Sequence, residues 1–203
     1  MNPTFWDVLQ AINTVGGDLM MFAALGGGLA GYVNREKIGE KIRRWFTRNH
    51  FPKEVGHPLD DAIQWDALIF TVSKTEVPFW VIEHLKPKHV GLIASHESAA
   101  AAEEIKAFAQ KHQAGTLVKT IDSPDDVGQS RIAARSLVSD LRRQGCRAIA
   151  VDLTGGKVTM SLGAFIAAEE SSLHSLYVST VFDAALKKPD MRTAKILCVS
   201  RPQ

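Results

Sequence analysis

From Asp60 onward the sequence alternates short apolar, β-branched runs with longer segments of helical periodicity. The strand candidates are 67–72, 89–95, 116–121, 147–153, 175–181 and 194–199. The helix candidates between them are 78–85, 98–112, 127–144 and 157–170, with Pro78 suited to a helix start. Such alternation over about 140 residues predicts an α/β domain with a mainly parallel sheet and helices on both faces. Ligands of such sheets bind at the carboxyl ends of the strands. Those ends are therefore where functional residues are sought.

The strand at 147–153 runs into Asp152-Leu153-Thr154-Gly155-Gly156-Lys157-Val158-Thr159-Met160. Paired glycines at a strand-to-helix junction let backbone N–H groups approach a ligand closely, and the helix start that follows favours an anion. Lys157 adds a full positive charge; Thr154 and Thr159 add hydroxyls. The spacing is neither that of a Walker A loop nor Gly-x-Gly-x-x-Gly. Read alone, the segment is equally a tight turn with a solvated lysine. The strand at 67–72 ends in a second polar, basic loop, Ser73-Lys74-Thr75, which alone reads equally as an exposed turn. Two such loops on one rim point to a phosphate-bearing ligand. Ser95-His96-Glu97-Ser98 and Asp122-Ser123 complete the rim. His96 and Glu97 read best as a helix N-terminal turn.

Composition narrows the function classes. The 203 residues are 45% hydrophobic, enough for a packed core, and the net charge of +2 argues against a broad nucleic-acid surface. Cys146 and Cys198 stand apart, each in or beside an apolar run, and read as buried reduced thiols. No ligand spacing supports a metal site.

Residues 1–34 differ from the rest. No charged residue falls between Leu19 and Val33, and extension back to Val8 adds only Gln10, Asn13 and Asp18 as notable polar exceptions. A helix of that length, at about 1.5 Å per residue, covers a bilayer core with some tilt. A signal peptide is disfavoured, because no Lys or Arg precedes Arg35. Arg35, Lys37, Lys41, Arg43, Arg44, Arg48 and Lys53 follow the span and set its C-terminal side in the cytoplasm. Residues 35–59 thus read as a basic juxtamembrane helix and linker, with His57-Pro58 in the linker, and 60–203 as the domain. Gln10, Thr14 and Asp18 share one stripe of the span, and Ala23, Gly27 and Gly31 form a small-residue row for helix contact. They either ring a pore in an oligomeric bundle or belong to a simple anchor whose Asp18 snorkels outward.

The stretch 152–161 resembles the signature of CARF domains, the cyclic-oligoadenylate sensors of type III CRISPR systems. Segment 70–75 is similar to that family's other ligand loop, and 85–93 to its first helix exit and second strand. The resemblance covers roughly 60–203, with the Thr-Gly-Gly-Lys loop after a strand Asp as its most specific part. Together with a membrane helix, it implies a membrane-depolarising CARF effector with a Rossmann-like domain. The implied ligand is cyclic tetra-adenylate, with no other cofactor. The implied partners are a second copy, giving a homodimer with the pocket on its two-fold axis, a tetramer or higher oligomer, and the bacterial inner membrane. Carried over by position, Ser73, Lys74 and Thr75 line the pocket from one loop, and Thr154, Gly155, Gly156, Lys157 and Met160 from the other. The resemblance leaves one enzymatic alternative, a membrane-tethered ring nuclease using Ser73 and Lys157; no general base accompanies them, and a non-enzymatic sensor is the expectation. A plain anchored nucleotide-binding scaffold is the other alternative.

Overall fold

A computed structural model describes residues 57–59, 63–184 and 188–201. The expected membrane span, with Gln10, Thr14 and Asp18, and the basic run that follows it lie outside the described residues. Among the described residues no helix is long and apolar enough to cross a membrane.

The described chain forms one seven-stranded sheet with four α-helices and a short 3-10 turn. The strands are β1 (His57–Pro58), β2 (Ala67–Thr71), β3 (His89–Ser95), β4 (Gly115–Ile121), β5 (Ile149–Asp152), β6 (His174–Asp183) and β7 (Lys188–Ser200). The helices are α1 (Glu76–Leu85), α2 (Ala99–Lys111), α3 (Val127–Arg143) and α4 (Val158–Glu170). The order across the sheet is β1-β7-β6-β5-β2-β3-β4. Strands β4, β3, β2, β5 and β6 run parallel, in a Rossmann-like arrangement.

All five residues of β2 are buried, as expected of a central parallel strand covered on both sides. Alternation along the strands divides the core in two. Leu68, Phe70 and Leu92 pack with Val81, Ile82 and Ile105 of α1 and α2. Ile69, Ile93 and Val151 pack with Leu137, Leu141 and Ala164 of α3 and α4. Each fully buried aliphatic side chain is worth roughly 1.5–3 kcal/mol, so the two layers fix the sheet between its helices. Cys146 and Cys198 are free and buried, and burial pushes both thiols up.

Several boundaries differ from expectation, for physical reasons. Strand β5 begins at Ile149 rather than 147 because the amides of Arg147 and Ala148 donate to the Asp66 carboxylate, at 3.0 and 3.1 Å. That carboxylate also takes Lys88 at 2.9 Å; these bonds hold it well below the usual carboxylate range. Helix α1 begins at Glu76, with Pro78 in its first turn, where a missing N–H does no harm. His57-Pro58, expected as linker, forms β1 against Leu197 and Cys198 of β7. The last two strands are longer than expected and antiparallel. Only residues 184–187 separate them, whereas a parallel crossover needs a dozen residues or more.

Candidate functional site

The order of strands creates the site. The chain runs from β2 outward to β3 and β4, then returns to β5 on the other side of β2. Helices α1 and α2 cover one face, α3 and α4 the other. The connections therefore part between β2 and β5, which is where open α/β sheets bind ligands. Both loops singled out by the sequence leave the sheet at this point. The cross-strand partners Phe70 and Asp152 are the last paired residues below them.

The turn after β5 is held from inside. Thr71, at the end of β2, donates its hydroxyl to the Gly155 carbonyl. Ser161, one turn into α4, places its hydroxyl oxygen 2.9 Å from both the Leu153 and the Gly155 carbonyls. A trans peptide points its C=O and the following N–H in opposite directions. With the Gly155 carbonyl pinned inward, the Gly156 N–H faces outward. The glycines are required here. A Cβ on Gly155 would lie 2.3 Å from the Thr71 carbonyl oxygen, and Gly156 has a φ of +74°. The same ideal Cβ on Gly155 lies 4.0 Å from the Ser73 amide, so the two loops are adjacent.

Asp152 and Thr154 brace this turn. The Asp152 carboxylate accepts the Thr154 N–H at 2.6 Å. The Thr154 hydroxyl in turn accepts the Val178 N–H of β6 at 2.7 Å. Asp152 is 1% exposed, and its Oδ2 has no hydrogen-bond partner among the described residues. Burial raises its pKa from 3.8 to about 6, against the lowering effect of Thr154. Burial thus holds the carboxyl under the turn well above the usual carboxylate range.

Beyond the glycines, α4 begins with Lys157 at its N-cap, with no side-chain cap and no acidic residue in its first turn. Its leading N–H groups and helix dipole favour an anion. Lys157 is half-exposed and pairs with Asp125 of the β4–α3 loop at 3.1 Å. Thr159 ties that loop to α4 by donating to the Pro124 carbonyl at 2.6 Å.

Ser73 and Lys74 are exposed at the end of β2, and Thr75 is the partly exposed N-cap of α1. Gly155, Gly156 and Lys157 stand beside them on the same rim. Thr154 is at the rim, but its oxygen is engaged by β6. Met160 departs from the expectation that it lines a pocket: it is 1% exposed and packed in the core beneath the turn. Being three residues after the N-cap, it falls on the face of α4 turned to the sheet. His96 and Asp122 face each other at 3.6 Å across the β3 and β4 ends. His96 and Glu97 form the 3-10 turn before α2.

Thr71, Ser161 and Asp125 also belong to the site, although the motif does not mark them. A hydroxyl four residues past Lys157 is the signal that identifies Ser161; Asp125, 32 residues upstream of its partner, has none. Among the described residues no group of three or more His, Cys, Asp or Glu side chains is placed to hold a metal ion.

No protein-family model and no curated protein matches the chain. Several solved structures are similar to it. One is Can2 from Sulfobacillus thermosulfidooxidans in complex with cyclic tetra-adenylate, at 15% identity and TM-score 0.49, covering 57% of this chain and 33% of that one. A second is Enterococcus italicus Csm6 bound to cyclic hexa-2′-fluoro-hexa-dAMP, at 15% identity and TM-score 0.49, with coverages of 63% and 36%. A third is a type III CRISPR defence DNA nuclease activated by cyclic oligoadenylate, at 17% identity and TM-score 0.48, with coverages of 68% and 22%. The match thus spans between 22% and 36% of the length of these chains.

Proposed function

We propose that the chain is a membrane-anchored sensor whose α/β domain binds a cyclic oligoadenylate, with cyclic tetra-adenylate the leading ring, on the rim between β2 and β5. The observation that supports this reading is the turn 153–157. Its inward-tied carbonyls leave the Gly156 N–H, the start of α4 and the Lys157 ammonium to meet an anion. A ring of phosphodiesters offers that anion without a terminal phosphate. Lys74 supplies a second cation on the adjacent loop; Ser73 and Thr75 supply hydroxyls for phosphate or ribose oxygens. The resemblance of 152–161 and 70–75 to CARF ligand loops supports the same assignment.

In this reading two copies meet so that paired loops embrace one ring, whose own rotational symmetry suits a two-fold pocket. The apolar stretch 8–33 anchors the assembly, and the basic run after it lies on the cytoplasmic side of the bacterial inner membrane. Ligand shifts the oligomeric span toward a conducting state only by its differential affinity for the two states. The domain acts here as a sensor and not as an enzyme.

Calorimetry on the full chain in detergent, with cyclic tetra-adenylate, cyclic hexa-adenylate and linear tetra-adenylate, tests the sensor. Ring-selective binding with the ring recovered intact is the expected result. Absence of binding to any ring removes the sensor reading, and recovery of linear product replaces it with the ring-nuclease alternative. A voltage-sensitive dye in cells producing the ring tests the membrane step: an unchanged potential leaves the span as an anchor.

A further inference from the structure

The β4–α3 loop contributes an acidic side chain to a site otherwise suited to an anion, and its architecture holds that side chain in place. Asp126 caps α3 by accepting the amides of Gly128 and Gln129, at 2.7 and 3.1 Å. The Gln129 side-chain oxygen accepts the amides of Asp122 and Ser123, at 2.9 and 3.2 Å. Thr159 fastens the Pro124 carbonyl to the first turn of α4. Both flanks of Asp125 are thus tied, and its Oδ2 sits 3.1 Å from the Lys157 ammonium. Nothing in the packing of the core requires this contact, since the Lys157 and Asp125 side chains remain 48% and 69% exposed.

We infer that Asp125 is an intramolecular competitor for the anion at Lys157: the chain's own carboxylate pairs with the lysine, and a ligand phosphate binds by displacing it. The inference rests on the anion-binding reading of this site and adds a regulatory element to it. An exposed ion pair of this kind is weak, which is what a displaceable competitor requires. A buried, strong pair would block the site; no pair would leave the lysine open to any cellular anion. A polyvalent ring that also engages the Gly156 N–H and Lys74 displaces Asp125, whereas a single small anion gains much less from the exchange. Asp125 thereby raises the threshold for ligand and favours ligands with several phosphates.

The test compares Asp125→Asn with Asp122→Asn in the full chain. Asp122 is on the same loop and 90% exposed, but faces His96. It therefore reports the general effect of removing one negative charge near an anion. Asp125→Asn is expected to bind cyclic tetra-adenylate about two- to five-fold more tightly than the unmodified chain, the range set by an exposed pair. Asp122→Asn is expected to stay much nearer the unmodified affinity. Equal gains in both variants, or no gain in Asp125→Asn, overturn the inference while leaving the sensor reading intact.

Inorganic pyrophosphate, titrated against the NMR signal of the Lys157 ε-methylene, separates the two ideas. If no ring binds but pyrophosphate perturbs Lys157 at lower concentration in Asp125→Asn, the competitor stands and the cyclic-oligoadenylate reading falls. If pyrophosphate acts equally on both proteins, the competitor falls.

Discussion

Replacing Asp152 by asparagine removes a charge from beneath the turn 153–157 while keeping an oxygen for the Thr154 amide. The carboxyl is 1% exposed, and its second oxygen has no partner among the described residues. Burial lifts its pKa from 3.8 to about 6. For an acid, a folded-state pKa above the unfolded value means that the folded protein binds the proton more tightly. Stability therefore falls as pH rises from about 4 to about 6, and stays low above that. At 1.36 kcal/mol per pH unit, the full loss is about 3 kcal/mol, of which about 2–3 kcal/mol develops between pH 4 and 8. Asparagine carries no such dependence. It introduces a buried NH2 group that needs an acceptor, but that cost is the same at every pH and drops out of the comparison. Urea unfolding of the full chain and of Asp152→Asn at both pH values is the assay. The stability difference is expected to shift by about 2–3 kcal/mol in favour of the variant on going from pH 4 to pH 8. A difference independent of pH would mean instead that the second oxygen is solvated or paired.

Gly155→Ala places a Cβ 2.3 Å from the Thr71 carbonyl oxygen, so it should destabilise the domain by about 1–3 kcal/mol, read by the same unfolding assay, and displace the turn. Thr71→Val removes the donor to the Gly155 carbonyl with little change of volume; calorimetry should show weaker ring binding at a stability cost of about 1 kcal/mol. Lys157→Ala should weaken ring binding by roughly ten- to a hundred-fold, the worth of a charge-assisted hydrogen bond, while unfolding stays within about 0.5 kcal/mol because the side chain is half-exposed.

How far the sequence reveals the fold depends on whether a segment has a buried face. The helix starts and ends in 76–170 lie within about two residues of the periodicity reading, because each of these helices presents an apolar stripe to one of the two core layers. The outer half of the β6–β7 hairpin has no such face: Val181 and Phe182 are each 63% exposed. Without alternation of buried and exposed positions there is no strand signal, and the expected strands stop at 181 and resume at 194. Rim loops are legible for a related reason, since parallel strands bring all their carboxyl ends to one edge. What side chains do there is less legible. The Thr154 oxygen serves β6, and Met160 turns into the core, because both follow from tertiary neighbours rather than from the motif. The pairing of Lys157 with Asp125 depends on α3 carrying the loop back toward β5, and no local pattern announces it.

Hydrogen exchange on the full chain, with and without cyclic tetra-adenylate, tests the location of the site most directly. Slowed exchange is expected at the amides of 154–159 and 73–76, with little change at the opposite edge of the sheet around Asp66, Lys88 and Arg147. Protection confined to that opposite edge, or none in either loop at saturating ligand, would contradict the proposed location.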